Sequence, residues 1–323
     1  MQLRDSNGLK LALALFTLYI IWGSTYFVIR VGVASWPPLL MAGVRFLTAG
    51  IVLFALLRLK GEALPSPRQT LNAGMIGILL LAIGNGLVTV AEHMQVPSGI
   101  TAVIVATVPL FAACFGSFWG LRATRLEWFG IMLGLVGIIL LNTGGNLTGN
   151  PLGALLVIVA SVSWAFGSIW SSRLDLPKGM MVGAVEMIVA GAVLLIASLL
   201  SGERLSRMPD TAGLLAIGYL IVFGSIIAIN AYMYLLSHAR PALATSYAYV
   251  NPVVAVLLGM GFAGERLNPV EWVALGIIIL AVAIVMVGKS FGGRNQRTAN
   301  PLPAREAPDS RLSAADINPK STR

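Results

Sequence analysis

The sequence predicts an all-α transmembrane protein, a ten-helix bundle made of two five-helix repeats of inverted topology. Three observations lead there. Only 11% of the 323 residues are charged and 57% are hydrophobic, with a mean hydropathy of +0.85, whereas a water-soluble domain carries about 25% charged residues. The apolar residues come in blocks of about twenty, the length a helix needs to cross a hydrocarbon core of about 30 Å. Residues of one half also recur in the other at a nearly constant spacing.

Taken in chain order, the apolar blocks give helices over 11–30, 37–59, 71–90, 99–120, 128–142, 152–172, 180–200, 213–236, 243–263 and 270–288. The first starts after Arg4 and Lys10 and is longer than the 7–15 residue core of a secretory signal, so it reads as a span. Turn chemistry or charge marks the breaks: Trp36-Pro37-Pro38, Lys60-Gly61-Glu62, Thr143-Gly144-Gly145-Asn146, Leu176-Pro177-Lys178-Gly179 and Arg240-Pro241. Residues 75–91 and 130–172 contain no Lys, Arg, Asp or Glu. From Lys289 the chain turns Pro-, Arg- and Ser-rich, and 291–323 is expected to be a disordered cytoplasmic tail.

The net charge of +9 does not call for nucleic acid, because seven of the 22 basic residues lie in the last 35 positions and most others sit at span ends. Their placement orients the chain. With the N-terminus inside, Arg4, Lys10, Arg58, Lys60, Arg68, Arg122 and Arg125 of the first half are cytoplasmic and only Arg30 is outside. Both termini are therefore expected in the cytoplasm. The lone Cys114 excludes an intramolecular disulfide. Asn146-Leu147-Thr148 matches a glycosylation sequon, a weak three-residue match.

The halves align position by position. Trp22 pairs with Trp164, Ala49-Gly50 with Ala190-Gly191, Ala91 with Ala231, Pro109 with Pro252, and Glu127-Trp128 with Glu271-Trp272, at offsets of 140 to 144. Each copy holds five spans, an odd number, so the second must enter the membrane inverted. The copies are assigned to 1–145 and 146–290. Inverted repeats are a common build of secondary transporters, with the solute site near the midplane between them.

Several phrases carry a family resemblance: "WGSTYFVIR", "SWPPLLMAGVRFLTAG", "VPSGITAVIVATVPLF", "FGSIIAINAYMYL" and "PALATSYAYVNPVVAVLLG". Each copy has an Ala/Gly-rich second span, a proline in the fourth and an acidic-Trp start to the fifth. Over about residues 10–290 the chain resembles the EamA-type branch of the drug/metabolite transporter superfamily. The resemblance implies a ten-helix fold with a central cavity and the export of small organic metabolites, such as amino acids, their derivatives or toxic compounds. The copies depart from one another at Gly264-Glu265, where the first has Gly120-Leu121-Arg122, and at Arg45, whose counterpart is Glu186.

Polar groups deep in a bilayer are costly unless they face a cavity or a partner. Arg45 and Glu186 lie mid-span, as binding or coupling charges or as a structural ion pair. Glu92, at the outer end of the third span beside His93, is a candidate for proton coupling or a solvated end group. Trp22 and Tyr26, four apart and so on one helical face, are expected to line the cavity with Trp164. Asn85, between Gly84 and Gly86, and the pair Asn230 and Tyr234 are further candidates for solute contact.

The stretch Thr245-Ser246-Tyr247-Ala248-Tyr249-Val250-Asn251-Pro252 is the most informative. Pro252 has its counterpart Pro109 and belongs to the architecture, while Tyr247, Tyr249 and Asn251 align with Ile104, Ala106 and Val108. Tyr247 and Asn251 share one helical face and are the leading candidates for substrate binding. No catalytic motif, cofactor signature or Cys/His metal site is present in the sequence. The partners expected are a small-molecule substrate and the lipid bilayer, with no nucleic acid and no oligomeric state specified. The alternative class is a membrane-embedded receptor or scaffold that moves no solute.

Overall fold

The computed structural model describes residues 2–94, 96, 101, 104–121, 123–141, 151–254 and 269–296, and their regular structure is helical. The first copy contains α1 (Gln2–Val33), α2 (Pro38–Leu59), α3 (Pro67–His93), α4 (Val108–Phe118) and α5 (Arg125–Leu141). The second contains α6 (Pro151–Ser171), α7 (Met181–Leu200), α8 (Thr211–His238), α9 (the turn Pro241–Ala244 followed by 247–254) and α10 (Pro269–Gln296). Among the described residues α1 (from Gly8), α2, α3, α6, α7 and α8 are long and apolar enough to cross a membrane, and α4 and Trp272–Val285 are shorter apolar helices.

Local chemistry sets the helix ends. Pro38 opens α2, where a missing N–H costs nothing. Ser66 and Gln69 form a capping box at the start of α3, and Thr124 and Glu127 exchange the same pair of bonds at α5. The ends of α2 and α7 are matched. Gly61 and Gly202 take φ of +83° and +74°, Glu62 N–H bonds to Leu57 C=O, and Glu203 N–H bonds to Ser198 C=O. Both are Schellman closures, which need a residue able to sit in the left-handed region.

The two copies interlock. α2 packs along α7, α5 along α10, α1 against α8 and α3 against α6. The α2–α7 seam brings backbone against backbone. A Cβ added at Gly50 would lie 2.7 Å from Ile188 N, and one at Gly191 would lie 2.3 Å from Leu47 N. Leu47 and Ile188 are themselves 141 positions apart, as are the two glycines, so the contact is repeated about a pseudo-twofold axis. Close approach through small residues is how helices associate where lipid supplies no hydrophobic drive. On the outside, Phe16, Phe27, Leu56, Leu155, Leu215 and Val273 are exposed, the surface a bilayer would cover.

The structure departs from the expected elements in three places. α10 runs on to Gln296, past Lys289, because no proline before Pro301 forbids helical backbone there; residues 297–323 lie outside the described part, as do the sequon and Gly264-Glu265. The prolines do not kink the two copies alike. Pro109 sits at the second position of α4, behind a turn at Ala106-Thr107, whereas Pro252 sits inside 247–254 and the turn lies earlier, at Thr245-Ser246. Bonds from Ala248 N–H to Thr245 C=O and Tyr249 N–H to Ser246 C=O tighten that earlier turn.

The third departure concerns α3 and α8. Each contains an eight-residue π-helical segment, Ile78–Asn85 and Leu220–Ile227, 142 positions apart at both ends. π-helical stretches are uncommon and concentrate at functional sites.

Candidate functional site

A cavity of about 60 Å³ lies between the two copies. From the first copy α1 supplies Trp22, Thr25 and Tyr26, α2 supplies Arg45, and the π segment of α3 ends on Asn85 at its wall. From the second copy α6 supplies Ser161 and Trp164, and α9 supplies Tyr247 and Asn251. The helical spacing explains the α9 pair. Tyr247 and Asn251 are four apart and turn to the cavity, while Tyr249 faces the other way and donates to Ile131 C=O of α5 at 3.1 Å. Thr245 closes on its own helix by donating to Pro241 C=O at 2.8 Å.

One end of the cavity is an aromatic cluster. The equivalent Trp22 and Trp164 meet edge to face at 5.5 Å, and Tyr247 stands edge-on to Trp22 at 4.7 Å. Tyr232 of α8 completes it, with ring centroids 5.2 Å from Trp22 and 5.6 Å from Trp164. Its hydroxyl receives the Trp164 indole N–H at 3.0 Å and lies 2.6 Å from Ser168 Oγ. Edge-to-face pairs add about 0.5–1.5 kcal/mol each beyond their burial.

Ser168 also lines a second, larger space. This vestibule of about 600 Å³ is bordered by Leu121, Ser172, Arg173, His238 and Arg240. The Tyr232 hydroxyl therefore joins a residue of the cavity, Trp164, to a residue of the vestibule, Ser168. Arg240 also bonds Glu127 at 2.8 Å and ties α8–α9 to α5.

Arg45 is 2% exposed and is held by the π segment of α8. Its Nε donates to Ser225 Oγ at 2.8 Å, one Nη to Gly224 C=O at 3.1 Å, and the other reaches Asn85 Oδ1 at 3.5 Å. Gly224 permits this, since a Cβ there would stand 3.0 Å from the guanidinium. Trp22 donates to the same Gly224 carbonyl at 3.3 Å.

Glu186, the counterpart of Arg45, is fully buried on α7 with neither oxygen bonded, and lies outside the cavity wall. The two charges make no ion pair with each other. Glu92, at the end of α3, has one buried oxygen unpartnered and also lies off the cavity wall. Asn230 donates to Ile226 C=O at 2.6 Å and packs on Gly183, and Tyr234 stacks on His238 at 4.2 Å. Neither lines the cavity. Sequence reasoning chose Asn230 and Tyr234 on α8 and passed over Tyr232, which lies between them and points to the opposite side. The paired polar residues drew attention to one face, while the aromatic on the buried face had no outward sign except its mid-span phenol.

Each half of the chain separately matches the EamA-like transporter family, over residues 9–143 and 151–287. The chain belongs to the EamA-like transporter family. It is 65% identical over 276 residues to the inner membrane transporter YedA of Escherichia coli K12, covering 85% of this chain and 90% of that one. It is 30% identical over 294 residues to an S-adenosylmethionine/S-adenosylhomocysteine transporter of Chlamydia trachomatis serovar L2, covering 84% and 89%. A solved crystal structure at 21% identity superposes with a TM-score of 0.72 over 86% of this chain and 97% of its own, a likeness of fold. As an EamA-like transporter the chain is a multi-pass membrane protein that acts on a small molecule.

Proposed function

We propose that the protein is a secondary transporter or facilitator that exports a small organic metabolite by alternating access between two inverted five-helix halves. Ten spans, with α4, α5, α9 and α10 counted as crossings, leave both termini in the cytoplasm. The observation that carries the reading is the Tyr232 partition. A cavity walled by both copies and a wider vestibule are linked through the Tyr232 hydroxyl, which bonds Trp164 of the one and Ser168 of the other.

Orientation places the wider opening on the cytoplasmic side in this reading. The loops that border the vestibule, at Leu121, Arg173 and His238–Pro241, are all ones that the positive-inside count assigns to the cytoplasm. The vestibule is then the cytoplasmic entrance and the aromatic cluster its closed inner gate. The cavity holds about four waters at about 60 Å³, too little for an organic solute, so loading requires Trp22, Trp164, Tyr232 and Tyr247 to separate. A relative named for carrying S-adenosylmethionine is consistent with an organic metabolite as cargo.

The test is efflux of a labelled metabolite panel from proteoliposomes holding the full chain. At least one solute is expected to leave faster than from empty vesicles, and Tyr232→Phe is expected to change that rate. A panel in which nothing moves faster than from empty vesicles overturns the reading.

A further inference from the structure

We infer that the transported solute carries a carboxylate, and that Arg45 is the residue that receives it. The inference rests on the transporter reading and adds the chemical class of the cargo and the group that recognises it.

Among the described residues Arg45 is the one charged side chain on the cavity wall. Its hydrogen-bond partners, Ser225, Gly224 and Asn85, are all neutral, and among the described residues no carboxylate lies within 4 Å of it. A guanidinium held this deep without a counter-ion is an uncompensated charge, which a fold keeps only at considerable cost. Its obvious counter-ion within the protein, the other mid-membrane charge Glu186, is turned elsewhere and bonds to nothing.

The orientation of the guanidinium sharpens the point. Nε and one Nη N–H are tied to the π segment of α8, and the bond to Asn85 is at the limit of hydrogen-bond length. The Nη edge is thus left with donors to spare, the edge that binds a carboxylate through two parallel N–H bonds. Asn251 shares the wall: its side chain, 2% exposed, bonds the Tyr26 hydroxyl, while its Oδ1 accepts no bond. An acceptor in that position asks for an N–H or O–H on the solute. The apolar faces of Trp22, Trp164 and Tyr247 lie alongside. Once the aromatic cluster separates to admit a solute, these groups on the wall match a small acid with a hydrogen-bond donor on its body.

The experiment pairs small carboxylic acids with their neutral primary amides: lactate with lactamide, alanine with alaninamide, phenylalanine with phenylalaninamide, and further pairs of increasing size. Binding is read as thermal stabilisation of the detergent-solubilised full chain, and transport as efflux from proteoliposomes. At least one acid is expected to bind and move ten-fold or more better than its amide. Arg45→Met should abolish that preference, and Arg45→Lys, which keeps the charge but not the two-pronged geometry, should weaken it several-fold. Gly224→Ala tests the same site without touching Arg45, by pushing the guanidinium off its seat, and should weaken acid binding if Arg45→Met fails to fold. Amides that move as well as their acids, or an acid preference unchanged in Arg45→Lys and Gly224→Ala, overturn the inference while leaving transport standing. If neither acids nor amides move faster than from empty vesicles, the transporter reading falls and this inference with it.

Discussion

Arg45 and Glu186 occupy equivalent places in the two copies, 141 positions apart on the helices that form the central seam. Around Arg45 the neighbouring π segment offers Gly224 C=O and Ser225 Oγ. The corresponding residues of the other π segment are Ala82 and Ile83, 142 positions earlier, and Glu186 finds no partner at all. Outside the proline helices α4 and α9, much of the backbone geometry recurs: the seam glycines, the Schellman closures and the π segments. Polar chemistry does not. The comparison separates what the fold requires of both halves from what one half has been given for a task.

That division can be broken or sharpened by mutation, beginning where the effect is largest. Gly191→Leu drives a side chain into the Leu47 backbone and should cost about 3 kcal/mol or more, seen as loss of monodisperse protein on size exclusion. Gly50→Leu should do the same, because the contact is symmetric, and a well-folded Gly50→Leu would break the comparison. Arg45→Met strands Ser225 Oγ and leaves Gly224 C=O with its bond from Trp22, and should lower thermal stability by about 1–3 kcal/mol, the cost of one stranded buried group. Tyr232→Phe removes the hydroxyl shared by Trp164 and Ser168 and should cost about 1–2 kcal/mol, with faster passive leak of solute across the closed gate. Glu186→Gln should be the mildest, within about 1 kcal/mol of the parent in a thermal melt and in either direction, because it removes a charge that has no partner. A Glu186→Gln loss as large as that of Arg45→Met would show that the two sites are not chemically different.

Much of the architecture was legible in the sequence. Blocks of about twenty apolar residues bounded by prolines, glycines and charge gave the order of the elements; that the aligned Trp22 and Trp164 meet edge to face at 5.5 Å was not read from the sequence. Helical spacing on the TSYAYVNP stretch also separated the cavity face, Tyr247 with Asn251, from the Tyr249 face. The π segments were not legible, since the change from α to π bonding alters no hydrophobic period over eight residues. Gly84, Gly86 and the pair Gly224-Ser225 were its only trace. Tyr232 was missed for a related reason. On a helix apolar all round, sequence periodicity cannot say which face is inward, so the choice between Tyr232 and Tyr234 waits on packing partners.

The doubled glycine contact between α2 and α7 has one more consequence. Two helices separated by layers of side chains can slip past each other by changing rotamers. Here Gly50 meets the Ile188 backbone and Gly191 meets the Leu47 backbone, with nothing between them to rearrange. Translation along that line would force main chain through main chain. What remains open to the two helices is to turn about it, as leaves turn on a hinge pin, which makes this bare glycine contact an axle.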